Sequence, residues 1–384
     1  MNLNFSEEQQ MLQDTFSDFM REECSSEFVR RMEEDDHGYS DQIWSKMASL
    51  GWMGLMLPEE YGGLSFGVME LIILMEEAGR VCFPSPYLFS TLAAIAIAEY
   101  GTDTLKLDVL TQIASGDVIL SLAFLEPEVR EYDPMVSNTL CEVLDSDESG
   151  NEFIINGCKL FVTNAHVSDY IVVSTCRNTN KKHNNPCLSL FVIPTNSVGI
   201  SITPLKTISG DKQFELLLKD VKVNKNNLLG ALDEGGKILE KIHQIGAVAK
   251  SAELVGMGSA VLDMTAEYAK TRHQFGQPIA KFQAIQHHCA NMLIDIESSR
   301  YLTYKAAWLL DAKHEGHVAI TGVKSWVGEA IQRISALGHQ VGGATAYMSE
   351  HDMTLYSRRI KSADLAFGDA SYHRRSTEQV MGLR

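Results

Sequence analysis

The spacing of apolar residues predicts helices in the first third of the chain. Ser6 followed by Gln9 is a capping-box start for a first helix. The apolar residues after it recur at the helical period and give one buried face: Met11, Leu12, Phe16, Phe19 and Met20. A second clear helix is predicted over Val68–Ala78, closed by Gly79. Residues 1–116 are therefore predicted to form a helical domain.

The pattern changes near residue 117 to short runs of β-type composition. Phe153–Phe161 contains Asn156-Gly157 and predicts a hairpin with a type I′ turn. Further short strands are predicted at Val118–Leu125, Tyr170–Ser174, Leu188–Ile193, Ile200–Pro204 and Phe214–Leu218. Residues 117–230 are therefore predicted to form a small β domain that resembles a barrel.

Long helical patterns return after residue 230. They cover Ile238–Thr271, Phe282–Leu310, Ala319–Leu337 and Tyr356–Phe367. Four helices of this length predict a bundle over residues 231–384. The fold class is accordingly an α+β multidomain protein, with an N-terminal helical domain, a central β domain and a C-terminal four-helix bundle.

Composition narrows the classes of function. The 384 residues carry a net charge of -17, which argues against binding to nucleic acid or to anionic membranes. The seven cysteines form no CxxC pair, which favours free thiols in a cytoplasmic protein. The longest apolar run, Leu92–Ala98, is too short to span a bilayer, and no secretory signal is seen. No metal, Rossmann or serine-hydrolase motif is found, so we expect no metal site.

The segment from Tyr268 to Gln283 contains the residues of this chain that are best suited to bind a ligand. Arg272 offers a planar fork of donors that suits a pyrophosphate. Phe275 offers a flat apolar surface for a heterocycle, and Gly276 lies in a turn between two predicted helices. The alternative interpretation is an ordinary corner between two helices.

Several motifs, in order along the whole chain, resemble those of the acyl-CoA dehydrogenase family. They are the LPEEYGG loop at 57–63, Ala123–Pro127, Phe161–Ala165, Leu216–Val223 followed by Asn227–Gly230, the 268–283 segment and Gly342-Gly343. The resemblance implies FAD as the cofactor. It also implies α,β-dehydrogenation of an acyl-CoA thioester, with the β-hydride passing to flavin N5.

The resemblance implies a set of cofactor-binding residues. Thr163 would present its hydroxyl to the flavin and Phe161 would cover one flavin face, although a strand threonine and a core phenylalanine are the plain alternatives. Arg272 and Phe275 would hold the FAD of a neighbouring subunit. The other implied cofactor-binding positions are Leu125, Gln283, Gln340, Gly342 and Gly343. The alternative role of Gln283 is to cap a helix.

The position of the catalytic base departs from the family pattern. The usual glutamate is replaced by Phe367, and the position used by other members is Gly246. Two nearby carboxylates are candidate bases, namely Asp369 and Glu253. Their alternative roles are a helix N-cap for Asp369 and a buried structural partner of an arginine for Glu253.

Two other departures from the family pattern lie just after Pro127 and just before Gly342. The loop that follows Glu126-Pro127 lacks the family's Gly- and Ser-rich turn, and His339 stands where a glutamine is usual. The chain resembles the less complete subunit of heteromeric family members that act on steroid side chains or on dicarboxylic or alicyclic acids. The alternative is a homotetramer with an unusual base that suits a branched or cyclic acyl group.

The resemblance implies an electron-transfer flavoprotein as the electron acceptor. Rival functions are a non-catalytic partner or scaffold, and a flavin oxidase or an elimination enzyme on the same fold. Flavin in the purified protein would argue against a flavin-free scaffold, and rapid reaction of the reduced flavin with oxygen would indicate an oxidase.

Overall fold

The computed structural model describes residues 5–127, 132–143, 151–177, 188–314 and 317–383. The helices are α1 (Glu7–Glu23), α2 (Ser26–Glu34), α3 (Asp41–Ser49), α4 (Val68–Arg80), α5 (Tyr87–Tyr100), α6 (Asp103–Ala114), α7 (Gly235–Thr271), α8 (Gln283–Asp311), α9 (His317–Gly342), α10 (Asp352–Leu365) and α11 (Ala370–Val380). The strands are β1 (Leu120–Ala123), β2 (Leu140–Val143), β3 (Glu152–Thr163), β4 (Tyr170–Cys176), β5 (Leu188–Pro194), β6 (Ile200–Leu205), β7 (Gln213–Asn224), β8 (Leu228–Leu229), β9 (His273–Gln274) and β10 (Gln277–Pro278). The predicted order of helices, strands and long helices is confirmed.

The chain divides into two compact units. The first comprises Met1–Arg31, Gly67–Phe83 and Gln244–Arg384 and is mostly helical. The second comprises Met32–Phe66 and Pro84–His243 and holds strands β1–β8 together with α3, α5 and α6. In the first unit, α8 packs against α4 and α9, and α9 also packs against α10 and α11.

The sheet of the second unit is mixed. Its strand order is β6-β7-β3-β2-β4-β5-β8, with β1 beside β4. β1 and β2 run parallel to β4, whereas the other neighbouring strands are antiparallel. Side chains from several strands meet in one apolar core that includes Phe153, Ile155, Val162, Phe191, Leu216 and Val221. This enclosed core agrees with the predicted barrel-like domain.

The hairpin predicted at Asn156-Gly157 is wrong, because β3 runs through this dipeptide without a turn. The register against β7 shifts between Ile155 and Gly157, so the glycine lies at a bulge. A Cβ on Gly157 would lie 2.5 Å from Thr139 Oγ1. The glycine therefore allows a neighbouring segment to approach, which is the other common role of glycine in a strand.

The helix end predicted at Gly79 is also wrong, since α4 continues to Arg80. A Cβ on Gly79 would lie 2.1 Å from the carbonyl oxygen of Glu253, and one on Gly256 would lie 1.9 Å from that of Glu76. The two glycines thus let α4 and α7 cross at close range. The capping box of Ser6 and Gln9 is confirmed, but Met11 lies exposed rather than on the buried face.

The C-terminal pattern predicted one helix from Tyr356 to Phe367, but the structure has α10 and then α11. Phe367 adopts a left-handed conformation, and Gly368 follows it with positive φ. These two residues end α10 and redirect the chain. Helix α7 meets the length and hydropathy criteria for a membrane span, but 78% of its apolar window is buried inside the protein, as in a core helix of a bundle.

Candidate active site

The end of β1 and the bulge of β3 bring Leu125 and Phe161 close together. Leu125 forms an isolated antiparallel bridge with Leu160, whose N–H donates to the Leu125 carbonyl at 2.9 Å. The register of β3 against β7 shifts again between Lys159 and Val162. At this bulge Phe161 has φ +56° and its side chain is 52% exposed. The bulge therefore turns an aromatic ring away from the core, where it can cover a flat ligand.

Thr163 ends the same strand and has a fixed backbone. Its carbonyl accepts a hydrogen bond from Ser121 Oγ at 2.6 Å. The next residue, Asn164, is left-handed, and its N–H donates to the Lys212 carbonyl at 2.9 Å. The half-buried Thr163 side chain is thus held one residue beyond the core residue Val162.

The 268–283 segment forms a short hairpin after α7. Phe275 and Gly276 occupy its two central positions with φ +54° and +78°, the values of a type I′ turn. The Phe275 ring is 91% exposed and meets Phe282 edge-on at 6.1 Å. The Arg272 side chain is also exposed, while its backbone is fixed because Ile279 N–H donates to the Arg272 carbonyl at 2.8 Å. Gln283 is the exposed first residue of α8.

The end of α9 presents the Gly-Gly pair. Gly342 is buried, and a Cβ on it would lie 2.7 Å from the Cβ of Ala346. Gly343 has φ +59° and would meet nothing within 4 Å, so its backbone is open to a ligand. Gln340 is exposed, whereas His339 is buried with its ring stacked on Tyr347 at 4.5 Å. Burial lowers the pKa of His339.

Gly246 and Phe367, the two positions at which the family resemblance implies a base, lie against each other. A Cβ on Gly246 would stand 2.5 Å from Cε1 of the Phe367 ring. The ring is buried, and the backbone carbonyl of Phe367 lies 2.8 Å from His373 Nε2. An apolar ring therefore fills the space beside Gly246, and neither residue carries a group that takes a proton.

The two candidate carboxylates both have structural contacts. Asp369 is the N-cap of α11 and accepts from the Tyr372 N–H at 2.8 Å. Glu253 forms an ion pair with Lys250 one turn away, at 2.6 Å, and the pair is largely buried. The structure thus gives Asp369 the alternative role named from the sequence, and gives Glu253 a lysine partner rather than an arginine.

Two fully buried lysines were not predicted from the sequence. Lys324 on α9 donates to the carbonyls of Ala363 and Asp364, at 3.3 and 2.7 Å, and so caps the end of α10. Lys159 on β3 forms an ion pair with Glu126. A signal was present for Lys159, because strand alternation places it on the same face as the core residue Ile155.

We expect Gly246→Ala to destabilise the protein by about 1–3 kcal/mol, because the new methyl group would overlap the Phe367 ring. Gly236→Ala, on the same helix, is the matched control, since a Cβ there meets nothing within 4 Å. The control should leave stability unchanged or raise it by up to about 1 kcal/mol. Urea unfolding measures both variants, and equal stability of the two would contradict the contact.

Lys324 gives a second prediction, concerning pH. Burial lowers the pKa of Lys324 to about 8. The charge of Lys250 acts in the same direction. The carboxylates of Asp364, Asp369 and Glu253 act in the opposite direction. Between about pH 8 and the ordinary lysine pKa of about 10.4, the unfolded chain binds the extra proton. The contribution of Lys324 to stability therefore rises with pH in this window.

We expect the difference in unfolding free energy, wild type minus Lys324→Met, to grow by up to about 3 kcal/mol across that window. Lys159 is present in both proteins, so the difference isolates Lys324. Urea titrations at several pH values measure it, and a difference that does not change with pH would contradict the prediction.

These features agree with the class of flavin-dependent oxidoreductases that the sequence resembles. Family models for the acyl-CoA dehydrogenase N-terminal, middle and C-terminal domains match residues 6–117, 123–221 and 233–381. The chain therefore belongs to the acyl-CoA dehydrogenase family, whose members are FAD-dependent oxidoreductases.

Three individual proteins illustrate the similarity. "Probable acyl-CoA dehydrogenase YngJ" of Bacillus subtilis (strain 168) is 31% identical over 97% of this chain and 98% of its own length. "Caffeyl-CoA reductase-Etf complex subunit CarC" of Acetobacterium woodii is 30% identical over 90% of this chain and 91% of its own. A solved structure titled "Tcur3481-Tcur3483 steroid ACAD G363A variant" superposes with a TM-score of 0.87, with 25% identity over 98% of both chains.

Proposed function

We propose that this chain is a subunit of an FAD-dependent acyl-CoA dehydrogenase that removes the α-proton and the β-hydride of an acyl-CoA thioester. The observation that carries the proposal is the outward-turned Phe161 at the β3 bulge, in a chain that matches the family over nearly its full length. A large ring held in a left-handed conformation and left half-exposed is a strained arrangement that a ligand explains.

The residues present fit FAD. In the second unit, Leu125, Phe161 and Thr163 offer two apolar surfaces and a hydroxyl on a fixed backbone. In the first unit, six residues offer a guanidinium, an exposed ring, two amides and an open glycine backbone. They are Arg272, Phe275, Gln283, Gln340, Gly342 and Gly343. By family resemblance, Arg272 and Phe275 would contact the FAD of a neighbouring subunit. Bound FAD would supply the acceptor for the hydride.

The acyl-CoA site of this chain has an apolar wall where the family base usually lies. Phe367 and Gly246 offer no group that takes a proton, and their contact excludes water from that space. We therefore assign proton abstraction to a group elsewhere. Asp369 and Glu253 are the candidates within this chain.

A second candidate function is a subunit that depends on a different acyl-CoA dehydrogenase-like chain for its base. The Phe367 ring against Gly246 favours it, as does the similarity to a structure titled with two chains, Tcur3481 and Tcur3483. The first unit also exposes large apolar side chains that suit a subunit interface, among them Leu293, Ile294, Tyr301 and Trp326. A homotetramer or a heterotetramer would cover such residues.

The electron acceptor that we propose is an electron-transfer flavoprotein. One relative, CarC, is named as a subunit of a reductase–Etf complex. The acyl group that we propose is branched, cyclic or dicarboxylic, because the family's carboxylate is absent from its usual place beside a straight chain.

The test is an anaerobic titration of the purified flavoprotein with straight, branched and cyclic acyl-CoAs. Bleaching of the flavin band by one of them supports a self-sufficient dehydrogenase, and Asp369→Asn and Glu253→Gln then test the base. Asn caps a helix as well as Asp does, so a rate loss of 100-fold or more, a typical general-base effect, would identify Asp369 as the base. Flavin that no acyl-CoA bleaches until a second chain is added supports the partner-dependent subunit.

A further inference from the structure

A buried ion pair lies directly behind the residues that face the proposed flavin. Lys159 on β3 is 0% exposed, and its Nζ lies 2.5 Å from Oε1 of Glu126, which is also buried. Glu126 follows Leu125, and Lys159 precedes Leu160. The pair therefore joins the same two backbone segments as the Leu125–Leu160 bridge.

The hydrogen bonds around the pair satisfy both ions. Glu126 accepts from Ser137 Oγ at 2.7 Å, from the Asn138 N–H at 2.6 Å, and from Thr139 Oγ1 and N–H at 2.7 and 3.1 Å. Lys159 donates further to Ser174 Oγ at 3.0 Å and Ser137 Oγ at 3.2 Å. Both side chains of a buried ion pair can stay charged when their remaining donors and acceptors are satisfied in this way.

The charge states agree with the geometry. Burial alone would raise the pKa of Glu126, but Lys159 and the surrounding hydrogen bonds outweigh it, so the pKa lies below its ordinary value. The carboxylate is therefore ionised. It connects the 137–139 segment and β3 to the segment that follows β1.

The bulge that exposes Phe161 starts at Lys159, where the register against β7 shifts. The side chain of Lys159 points into the protein, and two residues later the ring of Phe161 points out. A residue with left-handed backbone persists only where its surroundings over-determine it. The ion pair is the anchored contact that lies next to this strained residue.

We propose that Lys159 and Glu126 are positioning residues, which hold Leu125 and the 160–164 arm in the conformation that receives the flavin. The claim about FAD rests on the proposed function, whereas the claim about the arm does not. Both residues act through Leu125 and Phe161 and need no contact with the ligand.

The test uses the full chain with the double variant Lys159→Met/Glu126→Gln. The glutamine retains one acceptor oxygen, which can serve the Thr139 N–H and hydroxyl that donate to Oε1, whereas the Asn138 N–H, which donates to Oε2, loses this acceptor. No buried charge remains, so the variant is expected to fold. The matched control is Lys241→Met/Glu99→Gln, which removes a half-exposed ion pair of the same unit.

The first readout is hydrogen exchange in the apo-protein. We expect the Leu160 and Asn164 amides to exchange at least about tenfold faster in the double variant than in the wild type or the control, because a lost local anchor lowers the free energy of local opening. Unchanged exchange of these amides in the folded double variant would overturn the proposal.

The second readout is FAD affinity, measured by quenching of flavin fluorescence, together with the visible circular dichroism of the bound flavin. We expect a Kd at least about tenfold higher and an altered dichroism in the double variant, because a loosened arm must be ordered on binding. Faster exchange with wild-type affinity and dichroism would overturn the role toward FAD. Failure of the wild type to bind FAD would refute the proposed function instead, while the exchange result still decides the role of the pair.

Discussion

Phe367→Glu is expected to raise the rate of flavin reduction by a straight-chain acyl-CoA by about 10²–10⁴-fold, the usual contribution of a positioned general base. The new carboxylate would stand at the position that family resemblance assigns to the base. The ring that it replaces is buried and contacts Gly246. Burial raises the pKa of a carboxyl group, which suits a base that works near neutral pH.

The control for this gain of function is Phe367→Gln, which has the same shape as the glutamate variant and takes no proton. Both variants lose a buried ring and should lose about 3–5 kcal/mol of stability, so stability alone does not separate them. Stopped-flow flavin reduction does. Equal rates in the two folded variants would show that position 367 does not face the reacting carbon, and the assignment of the base position would fail.

Arg272→Ala is expected to weaken FAD binding by at least about 30-fold, which corresponds to about 2 kcal/mol or more for a lost charge-assisted contact. Arg272 lies exposed at the end of α7, on a backbone fixed by Ile279. Its guanidinium forms no ion pair among the contacts seen within the described residues. A phosphate would supply the partner that such a fork of donors suits.

Lys270→Ala is the matched control for Arg272→Ala, because it removes a cation two residues earlier that pairs with Glu267 on the exposed helix surface. The control should leave the Kd for FAD within about twofold of the wild-type value, since exposed charges contribute little. Flavin fluorescence gives the affinity, and size-exclusion chromatography checks that the oligomer is intact. Equal affinities of the two variants would remove Arg272 from the cofactor site.

The order of elements was predictable because helices and strands in this chain have clear apolar periods. The period does not reveal where tertiary contacts require a glycine. Gly79 looks like a helix end and Gly157 looks like a hairpin turn, but each allows close approach of a segment distant in sequence. The end of α10 was misplaced by two residues, because Phe367 is left-handed, a conformation that sequence patterns assign to glycine or asparagine.

Residues of the candidate site were predictable only where they lie within a recognisable sequence motif. Arg272 and Phe275 stand out in sequence, and the structure exposes both. The contact between Gly246 and Phe367 joins residues more than 100 positions apart, so no local pattern reveals it. Lys159 was overlooked because a lysine in a strand is usually assigned to the surface, although its inward position in β3 followed from alternation.

The most direct test of an FAD-dependent acyl-CoA dehydrogenase activity is the visible spectrum of the full chain, purified alone and incubated with FAD, then titrated anaerobically with acyl-CoAs. We expect a stoichiometric flavin band that acyl-CoA perturbs or bleaches. Phe367→Glu should bleach faster than the wild type under the same conditions. A protein that binds no FAD, or whose flavin band no acyl-CoA changes in either the wild type or the glutamate variant, would contradict this function.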